Sequence, residues 1–122
     1  MPEVKFVDHG GGRVLLMDFS KAKDGQEIFE TAEETMRIVR SIDGPRSIRG
    51  LIDFSGTSLN KVVREIMMKM SRHNGPYMKS VAFVGLGPFL SLLFKALFVI
   101  TGRSNHKVFS TRAGAFDWLV GN

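Results

Sequence analysis

Asp-Phe-Ser occurs twice in the chain, at Asp18-Phe19-Ser20 and Asp53-Phe54-Ser55, and each copy closes a short apolar run. The runs are Val14-Leu15-Leu16-Met17 and Gly50-Leu51-Ile52; a third, Val81-Ala82-Phe83-Val84, ends in Gly85-Leu86-Gly87-Pro88. A helical pattern follows each, and repeated strand–turn–helix units imply a parallel sheet with helices packed on it. In such a sheet the carboxyl ends of the strands share one edge, where open α/β folds bind ligands. That edge gathers Asp18, Ser20, Asp53, Gly56, Gly85 and Gly87 as a candidate ligand or partner edge. Ser55, Thr57 and Ser58, ahead of the second helix, form a candidate anion site or phosphosite, because the N–H groups at a helix start favour negative charge. Plain capping and turn formation by Asp, Ser and Thr is the competing explanation and the weightier one.

Other chemistry is sparse. His9, His73 and His106 fall in a turn, at a helix end and in a strand, without metal-ligand spacing. There is no Gly-x-Ser-x-Gly elbow and no phosphate loop of the Gly-x4-Gly-Lys-Ser/Thr type. Gly85 and Gly87 open a helix after a strand, but Leu90 stands where a dinucleotide fingerprint needs its third glycine. Glu27, Glu30, Glu33 and Glu34 have no histidine or further acid spaced to meet them and belong to a solvated helix face. No catalytic residue, metal or cofactor is expected, and the chain is not expected to be an enzyme.

The elements that must position these residues follow from periodicity. Val4-Lys5-Phe6-Val7 predicts an edge strand, joined to the strand at 13–19 by the flexible Asp8-His9-Gly10-Gly11-Gly12 turn. The first helix is expected over 24–42, capped by Asp24 with Glu27 three residues on, and stopped by Asp43-Gly44-Pro45. Its stripe is Ile28, Ala32, Met36 and Val39, with Phe29 and Ile42 widening it. The second helix, about 58–73, carries Leu59, Val62, Val63, Ile66, Met67 and Met70 inward, with Met68 off the stripe as an exposed contact. His106-Lys107-Val108-Phe109 predicts a last strand, and Ser110 or Thr111 caps a closing helix that packs Ala115, Trp118 and Leu119.

The third helix, from Phe89 to Thr101, is broken only by Ser91, Lys95 and Thr101 in a run of Phe, Leu, Ala, Val and Ile. Gly85, Gly87 and Pro88 interrupt the apolar stretch 81–100, which fits a strand plus a helix better than a membrane span of about 20 residues. One sheet face cannot satisfy a helix that is apolar nearly all round. Phe89, Leu93, Phe94, Leu97 and Phe98 are therefore expected to form a homodimer contact or a surface for lipid or a small apolar ligand.

At 122 residues the chain has single-domain length, and 1–122 is expected to be one domain. The absence of cysteine excludes disulfides and thiolate metal sites. Met1 to Phe6 lacks the basic-then-apolar pattern of a secretion signal, so a cytoplasmic protein is expected. Net charge is +5, and it is unevenly placed. Residues 1–60 hold 8 Lys/Arg against 10 Asp/Glu, and 61–122 hold 9 against 2. Such asymmetry can mark a face for an anionic partner. The cations form no run interleaved with free aromatics, so nucleic acid is not the expected partner.

The order strand, strand, helix, strand, helix, strand, helix, strand, helix resembles the SpoIIAA-like proteins of the STAS superfamily, relatives of anti-anti-sigma factors and of sulfate-transporter cytoplasmic domains. The residues carrying the likeness are Gly50-Leu51-Ile52-Asp53-Phe54-Ser55-Gly56, and Val108-Phe109-Ser110 with Ala115-Phe116-Asp117-Trp118-Leu119. The resemblance implies an α/β fold with a five-stranded mixed, mostly parallel sheet and four helices. It also implies a regulatory module that binds a protein partner. In anti-anti-sigma factors a serine at the start of the second helix is phosphorylated within Asp-Ser-Ser/Thr-Gly. Here that signature is absent, and Ser58 in Thr57-Ser58-Leu59-Asn60 is the nearest equivalent.

Overall fold

A computed structural model describes residues 3–20, 22, 24–42, 44–58 and 60–121. Five strands lie side by side in sequence order: β1 (Glu3–His9), β2 (Gly12–Asp18), β3 (Ile48–Asp53), β4 (Met78–Val84) and β5 (His106–Phe109). β1 and β2 are antiparallel; every later neighbour is parallel. The hairpin turns on Gly10 and Gly11, with φ of 54° and 83°. Two successive left-handed residues are what a tight turn matched to strand twist demands, and glycine supplies them without strain.

A strand order that advances in one direction, joined by right-handed crossovers, places every crossover helix on the same face. Those helices are α1 (Gly25–Arg40), α2 (Lys61–Asn74) and α3 (Gly87–Ile100). Leu15, Met17, Ile52 and Val81 meet Ile28, Ala32, Met36 and Val39 of α1 and Val63 and Met70 of α2 in one core, with Leu90, Phe94 and Phe98 of α3 packed against it. The alternate strand residues Val14, Leu16, Leu51, Ala82 and Val84 face the other way. There α4 (Arg112–Val120) covers them with Ala115 and Leu119. Trp118 and Phe109 are half-buried and pack on each other at 5.6 Å.

The helix starts follow their caps. Asp24 accepts a hydrogen bond from the Glu27 N–H at 3.0 Å, as its spacing predicts. Thr111 rather than Ser110 caps α4, accepting from the Gly114 N–H at 3.1 Å. α2 begins at Lys61, not at 58, because Asn60 accepts the Val63 N–H at 3.0 Å and so fixes the first turn three residues later. Its inward row is Val63, Ile66, Met67 and Met70. Val62 lies one position off that row and is 59% exposed, so its expected inward placement is corrected. Leu59 and Asp43 lie outside the described residues. α3 starts two residues earlier than the apolar run suggests, since Pro88 has the φ and the missing N–H that a first helical turn accepts.

Candidate functional site

The two Asp-Phe-Ser corners meet. Asp18 stands opposite Asp53 across β2–β3, and Asp53 opposite Val84 across β3–β4. Strand alternation then separates the chemistry within each tripeptide. The phenylalanines turn to the three-helix face, where Phe19 and Phe54 stack at 5.8 Å and Phe54 and Phe83 at 6.5 Å. The aspartates turn to the α4 face and are buried, Asp18 at 1% exposure and Asp53 at 4%.

Two adjacent buried carboxylates repel each other and lose hydration, so they need a cation. Arg112, the first residue of α4, supplies it. Its guanidinium stands 3.0 Å from Asp18 Oδ2 and donates through Nε to Asp53 Oδ2 at 2.6 Å. The remaining oxygens close their own turns. Asp18 Oδ1 accepts from the Ser20 N–H at 2.9 Å and from the Ser20 hydroxyl; Asp53 Oδ1 accepts from the Ser55 N–H at 2.8 Å. Burial pushes the Asp18 pKa up, but the Ser20 hydroxyl and Arg112 outweigh it and hold the carboxyl below its ordinary value. Burial works against the Arg112 charge, yet its bonds to Asp53 and Asp18 raise its pKa.

The third corner packs on the second. Gly85 has φ +82°, and a Cβ there would lie 2.4 Å from both the Ser55 nitrogen and hydroxyl. Thr57 ties the first corner to the second, donating its hydroxyl to the Phe19 carbonyl at 2.7 Å and its N–H to the Phe54 carbonyl at 2.8 Å. Asp18, Ser20, Asp53, Ser55, Gly56, Thr57 and Gly85 thus gather at one rim, and their polar groups are spent largely on one another. Ser58 is exposed in the loop ahead of Asn60. It does not sit at the start of α2 as expected, because Asn60 holds the cap. Gly87 begins α3 and is exposed. Sequence reasoning missed Arg112, whose only signal is that two acids ending buried strands require a cation from elsewhere.

α3 divides sharply. None of its residues is buried. Phe94 and Phe98 turn to the sheet, each 5.5 Å from the Phe83 ring, and Phe98 also lies 5.2 Å from His106. The outer surface is Phe89, Leu92, Leu93, Leu97, Val99 and Ile100, exposed by 43% to 82%. Of the five residues expected there, Phe89, Leu93 and Leu97 face out, whereas Phe94 and Phe98 anchor the helix. Burial pushes the His106 pKa down to about 4, helped by the nearby Arg103 charge.

An uncharacterised protein of the DUF3478 family from Shewanella loihica PV-4, described as having a SpoIIAA-like fold, superposes with a TM-score of 0.72. The match covers 96% of this chain and 92% of that one. This chain has a SpoIIAA-like fold. At 18% identity the likeness is one of architecture. No family model and no curated protein matches the chain. Within the SpoIIAA-like frame, the Asp18–Arg112–Asp53 cluster joins the two tripeptide corners to the last helix. Among the described residues no group of three or more His, Cys, Asp or Glu is placed to hold a metal ion. Nor is any described helix long and apolar enough to cross a membrane.

Proposed function

We propose that this chain is a non-enzymatic regulatory docking module of the SpoIIAA type, which acts by contact with a partner surface. The supporting observation is the outer face of α3, where Leu92, Val99 and Ile100 are 70%, 82% and 78% exposed. A contiguous apolar face of this kind marks an interaction site on a soluble domain. The strand-end rim supports this reading from the other side. Its two carboxylates are paired with Arg112, and Asp18 also holds the Ser20 hydroxyl, so the acids serve as joints between the corners.

Two further apolar residues, Val62 and Met68 of α2, are exposed, and Val62 lies in the first turn after the loop that carries Ser58. A phosphate on Ser58 would bring negative charge ahead of Lys61 and Arg64 and so retune the contacts made by the start of α2. Incubation with host extract and ATP, followed by mass spectrometry, tests the modification; phosphate found only elsewhere rejects it.

The docking reading is tested with Leu92→Glu/Val99→Glu, which places charge on the α3 face without touching the core. Wild type and variant are compared for self-association by sedimentation and for vesicle binding. Loss of an association in the variant supports the reading, and the absence of any α3-dependent association contradicts it.

A further inference from the structure

The outer face of α3 ends in a basic cleft. Lys95, Arg103 and Lys107 line an open cleft of about 530 Å³ together with Phe98 and Val99. Val99 belongs to the exposed apolar face, so the apolar surface and the three cations are contiguous. His106 also lines the cleft but is neutral near pH 7, its pKa pushed down to about 4, so the charge there comes from the lysines and arginine. No acidic residue occurs between Glu65 and Asp117, a stretch that also holds Lys69, Arg72 and Lys79.

We propose that α3 lies flat on an anionic membrane surface, its apolar face among the acyl chains and its basic cleft against lipid phosphate. This rests on the docking reading above and names the partner. The helix has 14 residues, a length of about 21 Å, too short for a hydrocarbon core of about 30 Å. An apolar face with basic flanks suits the membrane interface instead. A second copy of the chain fits this surface poorly. A twofold contact brings the same cations to its rim, and neither end of α3 offers an acid to meet them. A protein groove fits less well too, since protein interfaces interleave hydrogen bonds with apolar contacts. The outer face has no polar side chain except Lys95 at its edge.

The test is co-sedimentation of the full chain with phosphatidylcholine vesicles, with and without phosphatidylglycerol, beside sedimentation velocity of the free protein. The expected result is binding to the anionic vesicles, weakened at roughly 1 M salt, where the screening length falls to about 3 Å. Leu92→Glu/Val99→Glu abolishes it. Lys95→Gln/Lys107→Gln weakens it about 25-fold, at roughly 5-fold per cation. Circular dichroism confirms that both variants are folded. Equal binding to neutral vesicles, unaffected by the lysine changes, overturns the anionic assignment. No vesicle binding, with self-association lost in the glutamate variant, overturns the membrane inference and leaves the docking reading intact. Neither association overturns both.

Discussion

Arg112 reaches back 59 residues along the chain to place its Nε 2.6 Å from Asp53 Oδ2. The same guanidinium holds Asp18, so one side chain at the start of α4 fixes the ends of two adjacent parallel strands. The rim is thereby a structural joint.

Removing that joint leaves two buried carboxylates unpaired. Arg112→Ala is expected to cost about 2–3 kcal/mol, somewhat below the ~3–5 of a fully enclosed pair because Arg112 is partly exposed. Asp53→Asn costs less, since the amide oxygen still closes the Ser55 turn. Urea unfolding of the two variants checks the order, and an equal or reversed cost contradicts it.

Stability falls with acid in two stages. His106 has a folded pKa of about 4 against an ordinary 6.5. The unfolded chain therefore binds the proton first, and stability declines as pH falls from 6.5 toward 4. The loss is on the order of 2 kcal/mol after allowance for partial exposure. Asp18, held below 3.8, adds stability that is intact above that value and is lost at lower pH. His106→Phe should flatten the first stage only, as read from melting temperature against pH.

Gly85→Ala meets both a left-handed backbone and the Ser55 main chain. It is expected to destabilise by about 1–3 kcal/mol, while Gly25→Ala, with open space at its Cβ, costs nothing measurable. Equal melting temperatures for the two would show that the third corner is looser than described.

The two faces of α3 separate by mutation. Phe94→Ala removes half-buried packing on Phe83 and should cost about 2 kcal/mol, below the ~3–5 of a fully buried phenylalanine. Leu92→Glu should stay within about 0.5 kcal/mol, as exposed substitutions do. Denaturant midpoints decide it.

Much of this was legible before any coordinates. Asp18 and Asp53 close matching apolar runs, so a parallel sheet had to bring them together, and local caps such as Asp24 fixed their own helix starts. Arg112 was not legible, because a contact spanning 59 residues leaves no periodicity. The start of α2 was misplaced because Ser58 and Asn60 are both competent caps, and it is Asn60 that accepts the Val63 N–H. The chain also marked α3 as needing shelter on more than one side. It could not say that Phe94 and Phe98 would be the anchors, since every face of the helix is similarly apolar. Phe83 on β4 makes that choice.

The chain has no cysteine, so a single introduced thiol labels cleanly. Val99→Cys carries an environment-sensitive fluorophore on the outer face of α3, and Glu33→Cys carries it on the exposed side of α1. On addition of anionic vesicles, the label at 99 should shift to the blue and brighten while the label at 33 does not change. Both labels silent, or both shifting equally, would contradict an α3-first membrane contact.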